Sequence, residues 1–479
     1  MNELAALVLA AGMSRRMLSP LSKVLHPIAG RPLLHYPVAA AVAAGARQVV
    51  VITSPKDKGT IESYLRGAFA SISLTVVVQD PPRGTGDAAR VGMAALDQGI
   101  RQVLIVCGDV PLISSLELER LVAAGREDAL GLGTCELPDP AGYGRIVRDA
   151  SGKVTAIVEQ RDLKDDAQRA LREINTGLYC AGTEPLRRAL AGLSTNNAQG
   201  EYYLTDVIPV FMRAGGVSAI AMSPDATLGV NDRAQLCEVE ERMFARIANK
   251  HRLAGSRIAR GVCIDDAVTV GHDVTIEHQV HLRGRTVLGD GCRIDVGSVV
   301  SDSEIGAGTA LLPYTIVSQS RVGPACKLGP FTNVRPDSTV DSDVHLGNFV
   351  ELKATHMHKG AKANHLSYLG DGDVGENTNI GAGTIFCNYD GFSKHKTVIG
   401  KDVFIGSDSQ LIAPVTVGDG AYVATASSVT DDVPAHALAI GRVRQQNKPE
   451  YASRLRERLK AEKEARVKAS GSGPKKPGP

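Results

Sequence analysis

An aliphatic residue returns every six positions through much of residues 262–436, often with Gly beside it. Val322, Leu328, Val334, Val340, Leu346 and Leu352 form one unbroken series. Ile399, Ile405, Leu411, Val417, Val423 and Val429 form a second, and Ile276, Leu282, Leu288 and Ile294 a third. A period of six fits neither a 3.6-residue helix nor a long alternating strand. It is the pattern of a hexapeptide β-helix, in which three short strands make one triangular coil and each face points one aliphatic side chain inward. Gly eases the corners that need positive φ. At eighteen residues a coil, the span predicts roughly ten coils. After Leu352 the series lapses until Val374, and loops that interrupt a rigid scaffold are where function concentrates.

The chain before residue 230 follows another rule. Leu4–Leu9, Val49–Thr53, Leu74–Val78 and Val103–Val106 read as buried strands, and Ala39–Ala46 and Asp87–Leu96 as helices. Alternation of this kind predicts an α/β sandwich with ligand loops at the strand carboxyl ends. Between the halves, Leu236, Val239, Met243, Ile247 and Leu253 recur amid dense charge and predict one linker helix. The reading divides the chain into 1–232, a helical linker 233–253, a β-helix 254–446, and a basic tail 447–479. From Tyr451 onward nine Lys/Arg stand against three Glu, which predicts a frayed helix followed by a disordered, solvated tail.

Composition narrows the class. With 479 residues the chain is too long for one ordinary domain. A net charge of +2 gives no reason to expect nucleic-acid binding. Eight scattered cysteines without a CxxC pair suit free thiols in a reducing cytoplasm. No run approaches the eighteen apolar residues of a membrane span. The apolar N-terminus lacks a basic n-region and reads as a first strand, not a signal peptide. A cytoplasmic location is therefore expected.

Candidate chemistry gathers at the predicted strand ends. Leu9-Ala10-Ala11-Gly12 follows the first strand, with Arg16 and Lys23 able to face a triphosphate. There is no Walker lysine and no GxGxxG, so a plain tight turn explains this loop about as well. Gln79 precedes Gly84-Thr85-Gly86-Asp87-Ala88. Cys107-Gly108-Asp109 places a carboxylate where Mg²⁺ beside phosphates could use it, although a strand-end cap is the plainer alternative. Further on come Gly142-Tyr143-Gly144-Arg145-Ile146, Ile157-Val158-Glu159-Gln160, Glu173-Ile174-Asn175-Thr176-Gly177 and Gly229-Val230-Asn231. In the lapse of the repeat lie Lys353, His356-Met357-His358, and Asn364-His365-Leu366-Ser367-Tyr368-Leu369-Gly370-Asp371. Two His two apart are a weak metal signal without a carboxylate partner.

Together these motifs resemble the sugar-1-phosphate nucleotidyltransferases. In order and spacing they are similar to the bacterial bifunctional N-acetylglucosamine-1-phosphate uridyltransferase / glucosamine-1-phosphate N-acetyltransferase family, from about residue 4 to 446. The resemblance implies a Rossmann-like nucleotidyltransferase domain, a linker helix and a left-handed parallel β-helix. Leu9, Ala10, Ala11 and Gly12 would line the nucleotide, and Gln79, Gly84 and Thr85 would read uracil. Arg16 and Lys23 would hold the triphosphate. Gly144, Glu159 and Asn175 would hold the sugar, and Asp109 and Asn231 would bind Mg²⁺.

On the solenoid the resemblance makes His365 the general base. Arg335, Lys353, Tyr368 and Asn379 would hold glucosamine-1-phosphate. Ala382, Asn388, Tyr389, Ser407, Thr425 and Arg442 would lie along acetyl-CoA. It further implies UTP and acetyl-CoA as co-substrates, a homotrimer through the β-helix, and a place in bacterial envelope synthesis. Ser14, Arg15, Cys107 and Asp87 depart from the family pattern, the last two standing where Tyr and His are usual. Two rival readings remain: a single-activity sugar-1-phosphate nucleotidyltransferase with a scaffold or regulatory β-helix, and a non-enzymatic assembly protein.

Overall fold

A computed structural model describes residues 3–12, 15–125 and 128–469. Ser14 of the first loop and the Gly471–Pro479 end of the tail lie outside these residues, as does the side chain of Arg15.

The N-terminal half is built on nine strands. They are β1 (Leu4–Leu9), β2 (Gln48–Thr53), β3 (Ser73–Val78), β4 (Gln102–Cys107), β5 (Leu130–Glu136), β6 (Arg145–Arg148), β7 (Val154–Val158), β8 (Glu173–Gly182) and β9 (Val217–Ala221). The sheet order is β9-β5-β8-β4-β1-β2-β3, with β6 pairing β8 and β7. β1 lies parallel to both β2 and β4, whereas β8 runs antiparallel to β4 and β5. Leu7, Val50, Ile52, Val103 and Ile105 pack into one apolar layer, and Ala6, Val8, Val49, Val51, Leu104 and Val106 into the other. Burial on both faces explains why these strands read as unbroken apolar runs. The chain order reverses at β1, between β2 and β4, which makes their carboxyl ends the place for a ligand.

Helix Arg233–Leu253 follows, capped by Asp232, whose carboxylate accepts from the Gln235 amide. Val239, Met243, Ile247 and Ala248 are its buried residues, and they join a core continuous with the solenoid. Leu253, expected on the apolar stripe, is exposed at the end of the helix.

The solenoid is a parallel β-helix. Arg257 pairs with Thr275 and Thr275 with Arg293, eighteen residues each time. The inward series does not lapse after Leu352: Met357, Ala363 and Leu369 carry it to Val374, all fully buried. Two of the steps are five residues instead of six, and Met and Ala fill positions that Val, Leu or Ile fill elsewhere. The real interruption comes later. Asn379 pairs with Phe404, so this turn holds an extra loop, around Asn388–Lys396. Corners take positive φ as expected, but mostly not through Gly: Tyr314, Phe331, Phe349 and Leu366 adopt it on successive coils.

The frayed helix expected from Tyr451 runs over Tyr451–Ala469, with none of its residues buried, and the end expected to be disordered lies outside the described residues. Its good helix formers and the Arg458–Glu462 pair one turn apart favour helix locally.

Candidate active sites

The first site is a cleft of about 410 Å³ at the carboxyl ends of β1, β3 and β4. Leu9, Ala10, Ala11, Gly12, Lys23, Gln79, Gly84, Thr85, Cys107 and Asp109 line it, all but Cys107 expected there as ligand residues. Small side chains let the first loop approach a ligand through its backbone. Gly108 holds Asp109 at the mouth: a Cβ there would meet Leu34, Ala10 and the Leu9 carbonyl at 3.0–3.2 Å.

Asn231 arrives from the far end of the domain. The Val230 amide donates to the Asp109 carbonyl (2.9 Å), and the Asn231 amide donates to Gln235 Oε1 (2.8 Å) in the following helix. Lys23 Nζ donates to Asp109 Oδ2 and, at 3.0 Å, to Asn231 Oδ1. A carboxylate and an amide oxygen thus converge on one cation, here the ammonium. Few carboxylates plus phosphate oxygens is the donor set Mg²⁺ takes, so the residues fit that ion.

Gly84 has φ +107°, and a Cβ on it would lie 2.6 Å from the Tyr202 carbonyl. It ends the loop, and helix Thr85–Met93 begins with its N-terminus at the cleft. Gln79 Nε2 donates to the Gly84 carbonyl and to Asp87 Oδ2, both at 3.0 Å. Asp87 is buried and paired with Arg90 (2.8 Å) and Arg83 (3.4 Å). Burial would raise its carboxyl, but hydrogen bonds from Gln79 and Arg90 and the charge of Arg83 hold it below the usual range. A carboxylate and a carbonyl only accept, so the Gln79 atom between them is its nitrogen. Oε1 is thereby fixed as the group left to a ligand. Sequence reading marked Asp87 only as a departure from pattern. Its effect on Gln79 needed the fold.

Around the cleft, a Cβ on Gly144 would lie 3.4 Å from the Glu159 carboxyl. The Asn175 amide donates to the Gly144 carbonyl (2.9 Å), and Asn175 Nδ2 to the Tyr179 hydroxyl (2.7 Å). These three expected sugar residues therefore adjoin. Burial raises the Glu159 carboxyl, with Asp162 and Asp206 adding to it and a Thr205 hydrogen bond opposing. Cys107 reaches toward the Gly177 carbonyl (3.8 Å). Burial, and then the Asp109 charge, push its thiol up to about 12, so it enters the cleft uncharged. Arg16 is exposed on the short turn Arg15–Met17 and does not line the cleft.

The second group lies on the solenoid. Ala363 pairs with Ile380, Ile380 with Ile405, and Ile405 with Val423. Two residues past each of these stand His365, Ala382, Ser407 and Thr425. Register therefore stacks an exposed imidazole at the foot of a column of small residues on successive coils. The Asp408 amide donates to the Ala382 carbonyl and the Ala426 amide to the Ser407 carbonyl, continuing the column. Arg442 donates to the Thr425 carbonyl at 2.6 Å and sits at its top.

Past the corner at Leu366 is a charged cluster. Lys353 Nζ contacts Asp371 Oδ1 at 2.9 Å, and Asn388 Nδ2 donates to Asp371 Oδ2 at 2.5 Å. Arg335 pairs with Glu351 at 2.8 Å, and Glu351 is in register with Tyr368. Asn388, expected along acetyl-CoA, is thus beside Lys353. Asn379 is in register with Lys362, on the face preceding His365. Tyr389 is exposed, at the start of the extra loop. That loop contributes Lys394, His395 and Lys396 to a pocket of about 290 Å³ with Asp371 and Ala354. Lys394 escaped sequence reading because the loop carries no repeat to index it. All eight cysteines are free, and no helix among the described residues is long and apolar enough to cross a membrane.

Comparison with known proteins agrees with both halves. A family model described as a MobA-like NTP transferase domain matches residues 6–173. A protein of Sorangium cellulosum (strain So ce56) named bifunctional protein GlmU is 51% identical over 463 residues, 95% of this chain and 98% of that protein. Proteins of the same name from Anaeromyxobacter dehalogenans are 45% identical, over 99% of this chain and 97% of the relative in strain 2CP-C. In strain 2CP-1 / ATCC BAA-258 the shares are 98% and 96%.

Proposed function

The chain belongs to the GlmU family of bifunctional proteins, and we propose from this that it makes UDP-N-acetylglucosamine in two consecutive steps. The solenoid transfers acetyl from acetyl-CoA to glucosamine-1-phosphate, and the N-terminal cleft joins the product to UTP, releasing pyrophosphate. The observation that carries the reading is the presence of two separately built sites on one chain whose relatives match it end to end.

In the cleft, the sugar phosphate oxygen attacks the α-phosphorus of UTP and the bond to pyrophosphate breaks. The nucleophile is already an anion, so no general base is needed. Catalysis is alignment and charge neutralisation. Asp109 and Asn231 would hold Mg²⁺, which supplies positive charge beside the triphosphate when bound. Lys23 adds a fixed ammonium at the same place. Gly144, Glu159 and Asn175 seat the sugar.

Gln79 Oε1 accepts from the N3–H of uracil. Cytosine has a bare N3, which that oxygen repels. Asp87→Asn can both accept and donate, which leaves the Gly84 carbonyl alone to hold the Gln79 amide in one orientation. Steady-state kinetics should then show a fall of roughly tenfold in the preference for UTP over CTP. An unchanged ratio contradicts this role for Asp87.

At the solenoid, glucosamine-1-phosphate must lose an ammonium proton before its nitrogen attacks the thioester. His365 takes that proton. Arg335, Lys353 and Lys394 carry the charge that holds the phosphate, and Asp371 keeps Lys353 in place. The column Ala382, Ser407, Thr425 gives a thin track for the pantetheine arm, with Arg442 for a coenzyme phosphate.

The same proposal includes a homotrimer. Tyr314, Phe331 and Phe349 stack on successive coils at 5.3 and 5.4 Å, each about half exposed, and Leu366 beside His365 continues the ladder. Such a row of aromatics is what a neighbouring copy covers. Sedimentation should give three times the 50.5 kDa chain mass. Phe331→Glu combined with Phe349→Glu should reduce it to one and abolish acetyl transfer alone. A native monomer with full acetyl transfer contradicts the assembly.

A further inference from the structure

His356 and His358 take no part in either reaction. They flank the inward Met357, His356 within the short strand His356–Met357 and His358 just past it, so both rings leave the same face of the solenoid. The ring centroids are 3.8 Å apart with planes 30° apart. Asp341, on the preceding coil, supplies the carboxylate that the local sequence lacks. Thr339 is in register with His356 and Val340 with Met357, which brings Asp341 level with His358. Asp341 Oδ1 is 3.1 Å from His356 Nε2, and Oδ2 is 3.5 Å from His358 Nδ1. One donor atom from each of the three residues lies within 4.8 Å of the others.

Two features set this cluster apart from an ordinary ion pair. His356 Nε2 is shielded from solvent and, despite its distance to Asp341, makes no hydrogen bond. Its nitrogen is close to the oxygen without aiming at it. His358 Nε2 lies 2.8 Å from Asp373 Oδ1 on the next coil, and Asp373 is braced by Lys396 at 3.0 Å. A carboxylate only accepts, so the proton of neutral His358 is on Nε2, and its Nδ1 lone pair faces Asp341. A lone pair against a carboxylate is repulsive unless a cation lies between them. A proton on His358 alone would relieve that contact but leave His356 Nε2 without a partner, and protons on both rings would set imidazolium against imidazolium at stacking distance. One divalent ion satisfies both rings and the carboxylate together.

We propose that Asp341, His356 and His358 form a binding site for a divalent transition metal, zinc by donor preference. Tetrahedral Zn²⁺ with bonds near 2.0–2.1 Å holds its ligand atoms about 3.3 Å apart, between the two separations seen here. Asp373 orients His358 through the ring's other nitrogen, the usual outer partner of a metal-bound imidazole. The fourth position is left to water. The ligands come from consecutive coils, so the ion staples them, and binding stabilises the folded solenoid by mass action.

The test uses untagged full-length protein, freed of metal by chelation, with excess Mg²⁺ present throughout to saturate the N-terminal cleft. Zn²⁺ binding is followed by calorimetry, and Co²⁺ by its visible bands. One ion per chain is expected, with the intense d–d bands of four-coordinate Co²⁺ lacking thiolate charge transfer, and a melting temperature raised by Zn²⁺. His356→Ala and His358→Ala should each weaken binding at least a hundredfold and cancel the thermal shift. Asp373→Asn should weaken it roughly ten- to a hundredfold while keeping one ion per chain. That variant leaves all three ligands in place, so it reports even where a His variant folds poorly. No Zn²⁺ uptake by the wild type, equal affinity in wild type and all three variants, or thiolate bands overturn the site.

Discussion

His365→Ala loses acetyl transfer by a factor of about 10²–10⁴, the usual worth of a positioned general base, while uridyl transfer keeps its wild-type rate. The imidazole is exposed at the foot of the column formed by Ala382, Ser407 and Thr425, one residue before the corner at Leu366. It therefore shares the strand Lys362–Gly370, which leads from that column toward the cluster of Lys353, Asp371 and Asn388. Imidazole is the side chain best suited to taking a proton near neutrality. The side chain is exposed, so its removal should leave the melting temperature nearly unchanged. Separate assays of coenzyme A release and pyrophosphate release check both halves of the statement. Retained acetyl transfer removes His365 from the mechanism, and loss of both activities points to a folding defect.

Asp109→Asn has the converse effect. Uridyl transfer falls by an estimated 10²–10³ or more, because the site loses a carboxylate placed to gather positive charge where the transition state is most negative. Acetyl transfer is unaffected, since the solenoid carries its own charged groups. Asn keeps the shape of Asp109 and still accepts from Lys23, so the fold survives. The fall in rate should be only partly relieved by raising Mg²⁺. An unchanged rate at low Mg²⁺ contradicts the assignment.

Legibility in the sequence followed how strongly each position is constrained. The interior of a coil admits one aliphatic per face, so Val322 to Leu352 could be read as a register without any structure. The same rule misled where it bends. Met357 and Ala363 fill inward positions after a five-residue step, and the series looked broken when it had only slipped. Loop residues at strand ends were readable because the α/β order dictates where ligands go, and Leu9–Gly12, Gln79, Gly84, Thr85 and Asp109 do share one cleft. What stayed hidden is contact across distance in the chain. Asp341 meets His356 and His358 only because one coil separates them. Asp87 turns Gln79 only because a helix start folds back beneath it. Lys394 stands in the one stretch without a repeat.

The most direct measurement is one incubation of the full chain with glucosamine-1-phosphate, acetyl-CoA, UTP and Mg²⁺, with products identified by mass. UDP-N-acetylglucosamine, coenzyme A and pyrophosphate should appear in equal amounts. Pyrophosphate released without coenzyme A would make the solenoid a scaffold, and N-acetylglucosamine-1-phosphate accumulating beside unused UTP would take the nucleotide assignment from the N-terminal cleft.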